Sequence, residues 1–148
     1  MIRALKSSDI SSVATIYELA NNSVNLPVQK DHFKKDAVKY ISETIYKCEN
    51  AVYELDGVPA GIISVSSDYI EGLFVHPDHF GKGIGKNLLD HFLNKKEYLR
   101  LQVYEKNARA LSFYLKNGFR IAGGGICQIT GFPYFEMEYE KVLEKRIF

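Results

Sequence analysis

The segment Val75-His76-Pro77-Asp78-His79-Phe80-Gly81-Lys82-Gly83-Ile84-Gly85-Lys86 constrains this chain more than any other. An apolar strand runs into a proline, three glycines fall at alternate positions, and an amphipathic helix begins at once. Glycine lets backbone N–H groups approach a ligand with no Cβ in the way. A helix N-terminus adds orphan N–H donors and a positive dipole end. Together they describe a seat for a phosphate or pyrophosphate at a strand-to-helix junction.

The flanking pattern predicts the rest of the architecture. Ile2 to Leu5 reads as a short strand. Ser7-Ser8-Asp9 supplies N-cap chemistry for a helix carrying Ile10, Val13, Ile16, Tyr17 and Ala20 at helical spacing. Asn21 to Pro27 breaks it, and a second helix is expected over Asp31 to Lys47, with Phe33, Ala37, Ile41 and Ile45 on one face. The period then changes. Strands are expected at Ala51–Leu55, Val58–Ser66 and Tyr69–Val75, with Asp56-Gly57 as a hairpin turn. A helix follows over Gly83 to Lys95, with Ile84, Leu88, Leu89, Phe92 and Leu93 as its apolar stripe. Next come a strand over Tyr98–Tyr104, a helix over Ala108–Lys116 closed by Asn117-Gly118, and strands at Phe119–Ile126 and Tyr134–Glu140. The order is βααβββαβαββ. It predicts one α/β domain over 1–148, with a central mixed sheet of about seven strands and helices on both faces.

Bulk properties exclude several function classes. A chain of 148 residues, 46% hydrophobic, can bury a real core. A net charge of +1 argues against nucleic acid or an anionic membrane surface as partner. No apolar run approaches the roughly 18 residues of a membrane span, and Met1 to Lys6 lacks the apolar core of a signal peptide. Two cysteines, Cys48 and Cys127, form no metal or redox motif and read as reduced thiols of a cytoplasmic protein.

Three phosphate-binding loops compete for the glycine segment. A Walker loop needs Ser or Thr after its lysine, and Lys86 is followed by Asn87. A dinucleotide fingerprint needs Gly-x-Gly-x-x-Gly after the first strand of a βαβ unit. Here the spacing is Gly-x-Gly-x-Gly after a meander. The third reading draws on Leu101 to Phe119: a strand, Asn107 at a helix start, Ala110-Leu111-Ser112-Phe113-Tyr114, then Asn117-Gly118-Phe119. That segment resembles the second signature of the GNAT (Gcn5-related) N-acetyltransferases, and the glycine segment resembles the first. Order and separation also match.

The resemblance implies a GNAT-like fold, acetyl-CoA as cosubstrate, no metal, and direct acetyl transfer to a primary amine. The acceptor would be a small molecule, a peptide N-terminus or a protein lysine. Acetyl-CoA would enter an opening between Tyr69–Val75 and Tyr98–Tyr104. Backbone groups of Leu73, Phe74 and Val75 would hold the pantetheine arm. The backbone of Gly81, Lys82, Gly83, Ile84, Gly85 and Lys86 would hold the pyrophosphate, with Gly83 and Gly85 matching the family's two glycines. Asn107 would contact the cofactor arm. Tyr114 would protonate the departing thiolate, and a backbone N–H near Phe74 would polarise the carbonyl. Asn107 and Tyr114 are seven residues apart, close to two turns, so they share a helix face. The residue-level alternatives are a plain N-cap for Asn107 and a core aromatic for Tyr114. Phe80 departs from the family's Gln or Arg; Lys82 and Lys86 are the charges available to compensate.

The general base is the gap. Some family members carry a glutamate at the position of Gln102, and glutamine cannot accept the proton. Others carry a carboxylate at the position of Tyr69, which can orient an amine but is a poor base. Glu71 is the carboxylate candidate, two residues on and therefore on the same strand face; His76 and His79 are lesser candidates. Deprotonating a lysine of pKa about 10.4 at pH 7 costs roughly 4.6 kcal/mol, against about 1 kcal/mol for a chain N-terminus. An absent glutamate therefore favours an amine of low pKa. The linker Asn21 to Phe33 and the turn Gly131-Phe132-Pro133-Tyr134 are expected to cover the acceptor, with Tyr134 as a wall. A monomer or homodimer is expected. The rival reading is a catalytically silent acyl-CoA-binding or sensor module; a non-CoA nucleotide binder is weaker.

Overall fold

The computed structural model describes residues 1–23 and 30–141. The side chain of Phe33 and linker residues 24–29 lie outside the described residues. By internal contact the chain divides into two compact units, Met1–Asp90 and His91–Phe148.

The first unit holds β1 (Ile2–Ala4), α1 (Ile10–Asn22), α2 (Lys30–Ser42), β2 (Glu49–Leu55), β3 (Val58–Ser66), β4 (Tyr69–Val75) and the start of α3 (Ile84–Leu93). Strands β1 to β4 pair in sequence order, all antiparallel. The β2–β3 turn puts Asp56 at φ 52° and Gly57 at φ 79°, the left-handed pair that a two-residue hairpin demands. Helices cover both faces. On one, Val13, Tyr17, Ala37 and Tyr40 pack on Val52 and Ile62 in the core. On the other, a Cβ at Gly61 would meet Ile84 Cγ2 and Leu88 Cδ1 at 3.1 Å each, so α3 lies close on β3 because Gly61 carries no side chain. That contact anchors the helix whose N-terminus follows the glycine loop.

Two local expectations are corrected. Asp9 precedes α1 but makes no side-chain cap. Its carboxylate instead accepts two hydrogen bonds from Arg3, at 2.7 and 2.9 Å, and one from the Lys6 N–H. Glu54 holds Arg3 from the other side at 2.8 Å. A buried carboxylate beside a guanidinium gains more from that pair than from a helix end. The second helix ends at Ser42, and Thr44–Lys47 is a 3-10 turn. Its buried face includes Tyr40, which the apolar periodicity did not single out.

The second unit holds the end of α3, β5 (Tyr98–Tyr104), α4 (Ala108–Lys116), β6 (Arg120–Ile126) and β7 (Pro133–Glu140). Strand β7 pairs antiparallel with both β5 and β6. One face of this sheet is core: Leu99, Leu101, Val103 and Met137 are buried. The other carries Arg100, Gln102 and Tyr104 on β5 and Tyr134, Glu136 and Glu138 on β7. Expected and observed strand bounds agree to within two residues: β1 ends at Ala4 rather than Leu5, β2 begins at Glu49 rather than Ala51, β7 at Pro133 rather than Tyr134, and β6 at Arg120 because Phe119 closes the turn that follows α4.

Candidate active site

The glycine segment folds as the sequence requires. After β4, Pro77–His79 forms a 3-10 turn, and His76 Nδ1 accepts the Asp78 N–H at 3.1 Å. Gly81 and Gly83 both stand at φ 79°, and a Cβ built on either would meet nothing within 4 Å. The backbone is thus in a conformation that favours glycine, with open space above it. Helix α3 starts at Ile84, and its first hydrogen bond runs from the Asn87 N–H to the Gly83 carbonyl at 3.0 Å. The N–H groups of the first turn precede any helical acceptor. Such a loop fits a pyrophosphate. Of the two compensating lysines, Lys86 is paired with Asp90 at 2.9 Å, and Lys82 Nζ lies 3.0 Å from His79 Nδ1.

Strand β4 carries the other first-unit candidates. Leu73, Phe74 and Val75 pair with Ile63, Ile62 and Gly61 of β3. The register shifts between Ser64 and Val65, so that Gly72 faces Ser64, Ile70 faces Val65, and Glu71 is the extra residue of a bulge. Glu71 is exposed, and Tyr69 half-buried. Burial holds both Tyr40 and Cys48 high, with the Cys48 thiol pushed up to about 11; the Glu71 charge adds to burial directly at Cys48 and is the smallest contribution at Tyr40. A Cβ at Gly72 would come within 2.5 Å of the Phe74 ring and 3.1 Å of the Tyr40 ring. Glycine there lets both rings lie against the bulge. Behind it Tyr40 hydrogen-bonds Ser64, and Ser64 Oγ donates to Asn50 Oδ1 at 2.6 Å.

In the second unit, Asn107 is the N-cap of α4, its Oδ1 accepting the Ala110 N–H at 3.2 Å. The helix ends on Gly118 at φ 90°; the Phe119 N–H bonds the Tyr114 carbonyl at 3.0 Å and the Gly118 N–H the Leu115 carbonyl at 3.4 Å. This pair of bonds is a Schellman cap. It brings the Phe119 ring to 5.2 Å from Tyr114, and the Phe113 ring also lies 5.2 Å from it. Tyr114 is therefore buried at 8% exposure, with its ring orientation set on two sides. Tyr134 lies opposite Tyr104 on β5 and Gly125 on β6.

Two features were not legible as site elements. Cys127, in the β6–β7 connection, has its thiol lowered to about 7, chiefly by hydrogen bonding from Thr130 and also from Tyr104, whose hydroxyl lies 3.6 Å from Sγ. Glu136 stands directly opposite Gln102. Pairing the two expected strands end to end would have found it. Among the described residues no three of His, Cys, Asp and Glu are grouped as metal ligands.

Comparison with known proteins places this geometry. The acetyltransferase (GNAT) domain family matches residues 44–121, which includes the glycine loop, Asn107 and Tyr114. The chain is 27% identical over 144 residues to the peptidyl-lysine N-acetyltransferase YiaC of Escherichia coli, covering 96% of this chain and 98% of that one. The fold is shared with apo YjaB from Escherichia coli at a TM-score of 0.81 and 21% identity, over 96% of this chain and 98% of that one. It is shared too with the PaiA N-acetyltransferase of Thermoplasma acidophilum in complex with coenzyme A, at 0.77 and 19% identity, over 95% and 98%. With the glycine loop and the capped tyrosine helix both inside the matched region, the chain belongs to the GNAT family and is an acetyl-CoA-dependent N-acetyltransferase.

Proposed function

We propose that this enzyme acetylates lysine side chains of polypeptides in the cytoplasm, acting as one functional domain. The observation that carries the acceptor class is the similarity to a peptidyl-lysine N-acetyltransferase along nearly the whole of both chains. The family match at 44–121 runs through both compact units, which supports a single working domain over 1–148. No helix among the described residues is long and apolar enough to cross a membrane. A near-neutral net charge supports a protein acceptor over nucleic acid.

The residues take the following roles in this reading. The backbone of Leu73, Phe74 and Val75 holds the pantetheine arm, and an N–H near Phe74 polarises the acetyl carbonyl as its oxygen gains charge. The Gly81–Lys86 backbone binds the pyrophosphate through the first turn of α3. Asn107 caps α4 and faces the cofactor arm. Tyr114 gives its proton to the departing thiolate, whose ordinary pKa of about 8.5 makes it a better leaving group when protonated. Tyr69 and Tyr134 border the acceptor.

The test compares two peptides with acetyl-CoA: one with a blocked N-terminus and a single lysine, one with a free N-terminus and no lysine. The lysine peptide is expected to release thiol at least about ten-fold faster. A faster reaction with the free N-terminus reassigns the acceptor to chain N-termini. Tight acetyl-CoA binding with no thiol release from either, or from small amines, favours a silent acyl-CoA-binding module.

A further inference from the structure

Gln102 cannot accept a proton, yet an ammonium must lose one before its nitrogen can attack a thioester. Strand β7 runs antiparallel beside β5, and their register sets Glu136 directly opposite Gln102. Directly opposed residues have Cβ atoms about 5 Å apart on the same sheet face. Glu136 thus springs from the same patch of sheet as Gln102, displaced by one strand.

Other observations separate Glu136 from its neighbouring carboxylate. Glu138, two residues on, is engaged by the Tyr98 hydroxyl and by Arg120, which hold it below the usual carboxylate range. Glu136 is exposed, and among the described residues it has no ion-pair or hydrogen-bond partner. The strand beside it lacks side chains at its centre. Strand β6 contains Gly123-Gly124-Gly125, and glycine weakens a strand interior. A bulge between Ile121 and Gly123 brings Gly123 opposite Glu136. A Cβ at Gly123 would come within 3.3 Å of Glu136 Oε2, and one at Gly125 within 2.8 Å of the Tyr134 hydroxyl. The glycines leave room for that carboxylate and phenol to lie over β6 side by side. The other titratable and charged groups on this face are Tyr98, Arg100 and Tyr104 on β5, Glu138 and Glu140 on β7 and Arg120 on β6.

Tyr114 lies on the opposite face. Its ring packs on Phe119, and Phe119 packs on Tyr139, which alternates with Glu138 and shares the face of Met137.

We propose that Glu136 is the general base of the acetyl transfer, supplying from β7 the carboxylate that Gln102 does not supply from β5. The inference rests on the lysine-acetylation reading above. A Glu136 oxygen takes one proton from the lysine ammonium. The freed lone pair forms the N–C bond, the C–S bond breaks, and its electron pair stays on sulfur, which takes the Tyr114 proton. The surplus proton on the new amide nitrogen replaces, by way of water, the one that Tyr114 gave up. Glu136 returns its own proton to solvent.

The test uses Glu136→Gln, and Glu136→Gln combined with Gln102→Glu, in the full chain. Thiol release is followed with the single-lysine peptide between about pH 6.5 and 9, and acetyl-CoA binding is measured by calorimetry. Glu136→Gln is expected to lower kcat/KM for the peptide on the order of 100-fold at neutral pH, with acetyl-CoA affinity unchanged. Its rate should climb close to ten-fold per pH unit, because only amine already neutral reacts, whereas the wild-type profile stays nearly flat. Adding Gln102→Glu should restore at least ten-fold of the lost rate. Turnover within three-fold of wild type, an unchanged pH profile, a matching loss of acetyl-CoA affinity, or no restoration by Gln102→Glu would each overturn the assignment. A wild-type enzyme that binds acetyl-CoA but acetylates no amine overturns the acetyl-transfer reading and this inference together. An active wild type with an indifferent Glu136→Gln overturns the inference alone.

Discussion

The two units dispose of their polar side chains in opposite ways. Under α2 in the first unit the hydroxyls turn inward. Asn50 donates both amide protons, to the carbonyls of Ile45 at 2.7 Å and Cys48 at 3.2 Å. Its oxygen must then accept from Ser64, and Ser64 in turn accepts from Tyr40. The direction of the chain is thereby set, and Ser64 within it is fully buried. In the second unit two facing polar groups stay open: Gln102 and Glu136 are exposed, and β6, on the far side of Glu136, carries three glycines in a row. The two cysteines register the same contrast. Burial and the Glu71 charge push Cys48 up to about 11, while hydrogen bonds from Thr130 and Tyr104 bring Cys127 down to about 7. One polar set holds the bulge of β4 in place; the other faces solvent, where a substrate can reach it.

That contrast can be broken or sharpened by substitution. The largest effect is expected in the second unit. Tyr114→Phe keeps the ring between Phe113 and Phe119 and removes only the hydroxyl, so kcat should fall about 100-fold while stability and the KM for acetyl-CoA hold. A fall of only a few-fold in steady-state assays would return Tyr114 to the core. In the first unit the expected loss is in stability instead. Ser64→Ala strands the Asn50 oxygen and the Tyr40 hydroxyl, and denaturant unfolding should show about 2 kcal/mol lost, with kcat per folded molecule unchanged. A drop in kcat without a drop in stability would move this buried chain into the chemistry.

The smallest effect is chemical. At about pH 8 Cys127 is mostly thiolate and Cys48 almost none. Part of that advantage is cancelled, because a less basic thiolate is a weaker nucleophile. Iodoacetamide should label Cys127 roughly ten-fold faster, read by peptide mass spectrometry. Equal labelling would mean that the Thr130 and Tyr104 hydrogen bonds do not hold in solution.

Much of the fold was legible residue by residue. Val58–Ser66, Tyr69–Val75, Tyr98–Tyr104 and Ala108–Lys116 stand where alternation, helical spacing and the Asp56-Gly57 and Asn117-Gly118 signals put them. These are local effects, settled by a few adjacent residues. Asp9 departs because its partner, Arg3, lies on a strand that packs beside the helix start. Glu71 was legible as a carboxylate on β4 but not as a bulge residue, since a bulge depends on the opposing strand. Glu136 carried no local mark at all: an exposed glutamate in an alternating strand looks like a solvated face until its cross-strand neighbour is known.

The sequence by itself determined the local elements and, through its resemblance to the GNAT signatures, the kind of protein this is. Three alternate glycines before an amphipathic helix, and an asparagine seven residues ahead of a tyrosine, encode local backbone geometry and side-chain spacing that any fold containing them must keep. The tertiary structure alone decided which side chains meet. Strand register put Glu136 across from Gln102, a bulge set Gly123 beneath its carboxylate, and packing linked Tyr40 to Ser64 and Ser64 to Asn50. Contacts of that kind join residues far apart in the chain, and they exist only once the strands have paired.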